Sequence, residues 1–354
     1  MKKILFICGD TSLIGGIEKY NKDFIKALKS NKKINLHVIY RKPGGFFRKL
    51  SFFINVILFV FVNKPDFIFN AHINFSLITL ITKFIFKVPY SISTYGIDII
   101  HIKSRIRKLG IKHSNIVITL SMYVENLIKK QFPDKIDKIF MLESSIDPSV
   151  LTIKNKNIKL LQKYKIPKDS KILISLARLS SNEFKGQYQI LKALPNILKK
   201  IPNLFYIIAG AGYDQRVDKI LLDNQFLKKN VILTGAFNEK EKSDYLNLAD
   251  LYALPSKYDG FLITFIEALS CGVPVLAPNN YGCPYGLRNG KFGYLVDPEN
   301  ISEIEKTIVK HFEKKGPKNF YNKKFIRNES IKIYGYQQWQ KKVNNLIKII
   351  SNEI

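Results

Sequence analysis

Residues 256–274 read SKYDGFLITFIEALSCGVP and hold two acids eight positions apart, Asp259 and Glu267. The apolar pattern predicts a helix that begins near residues 262–264 and runs to Cys271, with Gly272 just past its end. Asp259 then sits in the preceding loop and Glu267 about one turn into the helix. The first amides of a helix have no intrahelical acceptor, and beyond the carboxyl edge of a parallel sheet they can take a phosphate. Gly260, Phe261, Leu262 and Ile263 form that turn and are read as ligand-binding. Glu267 can accept hydrogen bonds from a diol such as a ribose, and Asp259 can reach a second polar group on the same ligand. An acidic helix cap beside a solvated glutamate is the competing structural reading.

A second cluster, residues 175–186 (SLARLSSNEFKG), places Arg178 and Lys185 seven positions apart in the loop after an expected strand. Arginine offers a planar fork for phosphate and lysine a point charge, so together they can neutralise a departing diphosphate. In a chain with 57 Lys and Arg residues the alternative is two solvated cations; the place at a strand's carboxyl end favours the site. Residues 209–214 (AGAGYD) follow another strand. They carry G-x-G but lack the third glycine, and no acid ends the next strand, so they support a dinucleotide site poorly. Gly210 is read instead as a tight turn that lets backbone approach a ligand. Residues 13–18 (LIGGIE) put Gly15 and Gly16 where the first helix starts, so a phosphate or sugar can approach the backbone at Gly16. A simple turn explains that motif equally well.

Short β-rich runs alternating with helical stretches must position these loops, which predicts parallel α/β units. The first series of strands is expected at residues 3–8, 35–40, 66–70, 90–94, 115–119 and 138–142. The second is expected at 171–177, 204–209, 231–233, 251–254, 274–277 and 293–296. The polar, Lys/Asn-rich residues 154–159 read as the link. The expected domains are therefore 1–157 and 158–329. A single amphipathic helix is expected over 330–350. At 354 residues the chain is long for one core, which agrees with two domains.

Composition excludes several classes. Three cysteines, Cys8, Cys271 and Cys283, form no close metal-type pair and no disulfide framework, in keeping with a reducing cytosol. The apolar run at the N-terminus spans only residues 4–8, too short for a secretory signal, and reads as a buried first strand. The longest strongly apolar stretch without charge, residues 50–62, falls short of the roughly 18 residues of a membrane span. The net charge of +29 favours anionic partners, or else reflects lysine-filled solvated faces. No zinc-finger spacing, aromatic RNA-binding signature or basic heptad array appears, so nucleic acid is not an expected partner.

These residues resemble the family 4 glycosyltransferases, retaining enzymes of the GT-B fold. The likeness runs through the glycine pair, KPDFIFNAH, STYGID, VITLS, KIFMLESSID, the SLARL…KG cluster and YALPSKYDGFLITFIEALSCGVPVLA. It implies an α/β architecture of two facing Rossmann-like domains with an interdomain cleft. The N-terminal domain then meets the acceptor, and the last helix returns to that domain. A nucleotide-sugar donor is held mainly by the second domain, through Gly210, Gly260, Phe261, Leu262, Ile263 and Glu267, with Gly16 from the first. The family's diphosphate-binding pair falls on Arg178 and Lys185 and its paired acids on Asp259 and Glu267, the second of these holding the ribose. Arg178, Lys185 and Asp259 are thus the catalytic candidates. Asp259 is one methylene shorter than the family's usual glutamate, and Leu262 replaces a usual small residue. Many members carry histidine where this chain has Tyr95, so Tyr95 and Asp98 stand only as acceptor-side candidates. The frequent Asn-Gly before an aspartate is replaced by Ser144-Ser145-Ile146-Asp147.

No D-x-D motif occurs in the chain, so no metal or other cofactor is expected, and the two cations with helix amides would stabilise the leaving diphosphate. A UDP-sugar is taken ahead of a GDP-sugar. Residues 45–62 (GFFRKLSFFINVILFVFV) and the basic run 101–113 point to a lipid-linked or glycan acceptor beside an anionic membrane surface. For most of residues 54–62 a core helix of the sheet is the favoured reading, and for the basic run a solvated helix face is equally open. The expected role is hexose or N-acetylhexosamine transfer in bacterial surface polysaccharide or lipopolysaccharide synthesis, in the cytoplasm. A weakened sugar-nucleotide-binding homologue and an NAD-dependent oxidoreductase are the alternatives from other classes.

Overall fold

The computed structural model describes residues 1–353 apart from Ile14, Glu183 and Leu262. The candidate Leu262 therefore lies outside the described residues. The chain forms two compact units, one of Met1–Ser145 with Tyr336–Ile354 and one of Ile146–Gly335.

The first unit is built on β1 (Lys2–Gly9), β2 (Ile34–Arg41), β3 (Phe67–Asn70), β4 (Tyr90–Thr94), β5 (Ile116–Thr119) and β6 (Ile139–Met141). They form one parallel sheet in the order β2-β1-β3-β4-β5-β6. Residues 4–8 are all buried, as a parallel strand covered on both faces requires. The chain runs outward from β1 to β2, then returns to β3 and proceeds the other way. The order thus reverses between β1 and β3, which opens a crevice at the strands' carboxyl ends. Phe6, Phe24 and Phe69 pack edge-on beneath it, and Trp339 of the Tyr336–Glu353 helix stands 6.1 Å from Tyr20 and 6.0 Å from Phe24. Trp339 Nε1 donates to the Glu143 carbonyl, and Lys342 pairs with the Glu143 carboxylate at 3.0 Å.

The second unit carries β7 (Lys171–Leu176), β8 (Leu179–Ser180), β9 (Leu204–Ala209), β10 (Gly212–Tyr213) and β11 (Val231–Gly235). It continues with β12 (Leu251–Ala253), β13 (Val275–Pro278) and β14 (Gly293–Val296). Its six-stranded parallel sheet has the order β11-β9-β7-β12-β13-β14, reversing between β7 and β12. A small ribbon pairs β8 with β10.

Three expectations are corrected. The first unit ends at Ser145 rather than at 157. Ile146 instead donates its amide to the Tyr334 carbonyl and bridges Gly335, while the Lys154 amide and the Thr152 carbonyl both bond Asn247. Residues 330–350 are not one helix. Helices Lys323–Tyr334 and Tyr336–Glu353 meet at Gly335, whose ψ of 141° leaves the helical region. Finally, residues 54–62 are not mainly a core helix. They lie within the Phe46–Asn63 helix, which buries only Phe52, Val56 and Val60. Phe47 is 83% exposed and Val62 72%. By length and composition this is the one helix among the described residues that could cross a membrane.

Candidate active site

The helix after β12 spans Ile263–Ser270, and Gly272 follows it with a φ of 74°, so the apolar run and the glycine stop act as read. The loop from β12 to this helix faces the loop from β7 to its helix, across the point where the strand order reverses. Arg178 stands exposed just beyond β7. Seven residues on, Lys185 precedes Gly186, whose φ of 90° turns the chain into the helix Gln187–Lys200. A Cβ on Gly186 would lie 2.5 Å from the Pro255 carbonyl oxygen, so this turn accepts only glycine.

Lys185 and Asp259 meet here. Lys185 Nζ donates to Asp259 Oδ1 at 2.9 Å, while Asp259 Oδ2 is buried with no hydrogen-bond partner. The loop is held in place where the Gly282 amide donates to the Asp259 carbonyl at 3.0 Å. One turn into the helix, Glu267 is 1% exposed. Its Oε1 accepts from Lys242 Nζ at 3.2 Å, and its Oε2 is likewise buried without a partner. Lys242 also pairs with Glu239. Burial opposes the charge on Lys242, but Glu267 and then Glu239 outweigh it and raise its pKa above the ordinary lysine value. An unpartnered buried carboxylate oxygen costs about 1–3 kcal/mol or more. A ligand hydroxyl donating to each oxygen would recover that cost.

Other candidates fall differently. Phe261 is buried and packs edge-on against Tyr334 at 6.1 Å, and Ile263 is buried at the helix start. Their side chains belong to the core, so only their main chain is available to a ligand. Gly210 has a φ of 153° and makes room for the Ala177 carbonyl rather than for an outside molecule. The reason is the β8–β10 ribbon, which draws the two loops together, and Asp214 caps the next helix through the Arg216 amide at 3.0 Å. Gly16 begins the helix Gly16–Lys29 of the first unit. The Glu18 carboxylate folds back against Gly15 there.

Tyr95 and Asp98 also belong to the first unit. The Tyr95 hydroxyl donates to the Ala71 carbonyl at 2.9 Å and also bonds Asn21 Oδ1 at 3.2 Å. Burial, reinforced by Tyr20 and Asp98, raises its pKa well above the phenol range. That ring is fixed and cannot act as a base. Asp98 Oδ1 accepts the Tyr95 and Gly96 amides at 3.0 and 2.8 Å. In the sequence Lys242 reads as one more cation in a charged turn. Only the fold brings it to Glu267, 25 residues away.

The family model described as "Glycosyl transferases group 1" matches residues 156–337. A GDP-mannose-dependent alpha-(1-6)-phosphatidylinositol monomannoside mannosyltransferase of Mycolicibacterium smegmatis is 26% identical over 147 residues, 40% of this chain and 38% of the relative. The poly(glycerol-phosphate) alpha-glucosyltransferase of Bacillus subtilis is 25% identical over 285 residues, 75% of this chain and 40% of the relative. The chain thus spans about two-fifths of the length of these curated relatives. Among solved structures, Anabaena Alr3699/HepE in complex with UDP and glucose superposes with a TM-score of 0.78 at 18% identity, over 98% of this chain and 100% of that one. The lipopolysaccharide outer core galactosyltransferase WaaB in its apo form superposes with a TM-score of 0.75 at 16% identity, over 98% and 99%. At such identities the likeness speaks for the fold. With its two six-stranded parallel sheets and its family match over residues 156–337, the chain belongs to the group 1 glycosyl transferases and has the GT-B fold.

Proposed function

We propose that the protein transfers a hexose or N-acetylhexosamine from a nucleotide sugar to a glycan or lipid-linked saccharide, with retention and without a metal, in bacterial surface polysaccharide synthesis. The observation that carries this reading is the pair of buried carboxylate oxygens, Asp259 Oδ2 and Glu267 Oε2, left without partners beside Lys185 and Lys242. Carboxylates pre-set to accept hydroxyl protons, each beside a lysine and with Arg178 exposed in the loop after β7, suit a ligand that combines sugar hydroxyls with diphosphate charge. In the reaction the bond from the anomeric carbon to the diphosphate breaks and a bond to the acceptor oxygen forms. The acceptor's proton leaves with the diphosphate, whose growing charge Arg178 and Lys185 stabilise. The test is a turnover screen with UDP- and GDP-sugars, with and without EDTA. We expect nucleotide release that survives the chelator, with a UDP-sugar as the better donor. No release from any sugar nucleotide, or activity abolished by EDTA and restored by Mn²⁺, defeats the respective part of the reading.

A separate observation supports an acceptor at an anionic membrane surface. The Phe46–Asn63 helix exposes Phe46, Phe47, Phe61 and Val62, and neighbouring Phe84 and Ile85 are exposed as well. Arg48, Lys49 and the exposed Arg105, Arg107 and Lys108 of the same unit supply positive charge. Apolar rings with adjacent basic groups suit anionic lipid headgroups.

A further inference from the structure

We infer that Gly212 and Arg216 are positioning residues for Arg178: the β8–β10 ribbon fixes the main chain from which the Arg178 guanidinium reaches a diphosphate. This deepens the glycosyl-transfer reading and rests on it. The AGAGYD run, residues 209–214, thus acts on the ligand through Arg178 rather than by touching it.

Arg178 lies in the short gap between β7, which ends at Leu176, and β8, which begins at Leu179. The turn after β9 holds that gap. The Ala177 amide donates to the Ala209 carbonyl at 3.0 Å, and the Leu179 amide donates to the Ala211 carbonyl at 2.9 Å. Both chain neighbours of Arg178 are therefore bonded to the same turn. The turn is tied in its own place where the Gly210 amide donates to the Gly235 carbonyl at 3.1 Å. Parallel pairing continues with Gly212 beside Leu179 and Tyr213 beside Ser180. This close approach needs both glycines. A Cβ on Gly210 would overlap the Ala177 carbonyl oxygen, and one on Gly212 the Leu179 carbonyl oxygen. A Cβ on Gly212, whose φ is 107°, would also stand 3.1 Å from Arg178 Cγ, in the space that the arginine stem occupies.

Arg216 closes the ribbon. Its Nε and Nη2 grip the buried Asp214 carboxylate at 2.9 and 2.7 Å, and Nη2 also donates to the Ser180 carbonyl at 3.3 Å. Asp214 directly follows β10 and Ser180 ends β8, so one planar fork ties the two strand ends together. The guanidinium also lies over the Tyr188 ring at 5.3 Å, in the helix that begins just after Lys185 and Gly186. A long exposed side chain has many rotamers, and a misplacement of about 1 Å can cost about 10²-fold in rate. Fixing the main chain on both sides of Arg178, with no Cβ in the way of its stem, limits that misplacement.

The test is a double-mutant cycle read by calorimetry with inorganic pyrophosphate, at physiological ionic strength so that distant surface lysines are screened. Gly212→Ala should weaken pyrophosphate binding about tenfold by itself and less than about twofold when Arg178→Ala is already present, because changes that act through one contact do not add. Arg216→Lys keeps the charge without the planar fork and should show the same pattern at about threefold. It carries the test if Gly212→Ala does not fold. Equal losses in both backgrounds, or no loss in either, make the ribbon merely structural and overturn the inference. So does a wild type that binds no pyrophosphate, or an Arg178→Ala variant that binds it as well as the wild type. If the cycle behaves as expected but no sugar nucleotide is turned over, the transfer reading fails and the positioning role stands.

Discussion

At the break in the second sheet, between β7 and β12, the loops carry two carboxylates, each clamped by a lysine. At the corresponding break in the first, between β1 and β3, they carry a tied tyrosine and an aspartate held by main-chain amides. The connectivity is alike and the chemistry is not. Ion pairs keep charge available to an anionic ligand, whereas amide-held and neutral groups suit an uncharged polyol. One topology thus provides two crevices, and the side chains on four or five loops decide which half of a transfer each can serve.

The comparison breaks most visibly if the lysine clamp proves dispensable. Lys185→Ala and Arg178→Ala should each lower kcat by about 10²–10³-fold, equivalent to about 2.7–4 kcal/mol, with circular dichroism unchanged. Near-normal turnover in both would leave the second crevice without its charged role.

Acid should expose the next difference. His311, buried in the second unit, donates from Nε2 to the Asp250 carbonyl (3.1 Å) and, as a neutral ring, accepts the Tyr294 hydroxyl at Nδ1 (3.3 Å). Burial lowers its pKa to about 4, against a smaller opposing effect of Asp250. The unfolded chain takes up a proton near pH 6.5 that the folded chain refuses until about 4, so stability falls as pH drops through that window. The loss is on the order of 3 kcal/mol at its fullest. Denaturant melts between pH 7 and 4 should show the slope, and His311→Gln should flatten it.

A finer division lies between the two acids. Glu267→Gln should weaken free UDP or GDP by about 1.5–3 kcal/mol in calorimetry, since it removes a charged acceptor. Asp259→Asn should spare the nucleotide and depress turnover of the full donor. Equal effects on nucleotide affinity would erase the distinction. The smallest effect expected is on the lipid face: Lys49→Ala should reduce vesicle binding by about 1 kcal/mol. Flotation with phosphatidylglycerol against phosphatidylcholine vesicles measures it, and equal binding to both removes the electrostatic part.

Much of this was readable beforehand. Buried parallel strands announce themselves as unbroken apolar runs, and the 263–270 helix by its glycine stop, so Asp259, Glu267, Arg178 and Lys185 could be placed on one edge. What failed depended on contacts distant in sequence. Nothing local marks Ile146 as the partner of Gly335, and that bridge lies ahead of the polar stretch that reads as the link. The Phe46–Asn63 helix is apolar on every face, and periodicity cannot say which face is buried. Gly210 was legible as a tight turn, but not the carbonyl that it accommodates. Lys242 carries no motif, because its significance is a distant carboxylate.

The discontinuous first unit has a consequence for the order of synthesis. Trp339, which seals Tyr20 and Phe24 and bonds Glu143, is made only after all of Ile146–Gly335. At roughly 5–20 residues per second that interval lasts about 10–40 s. The first unit emerges first yet must wait with an aromatic groove uncovered, while the second can complete its own sheet without interruption. Ribosome-bound chains arrested before residue 336 should therefore present native structure in the later-made half and a chaperone-binding surface in the earlier one.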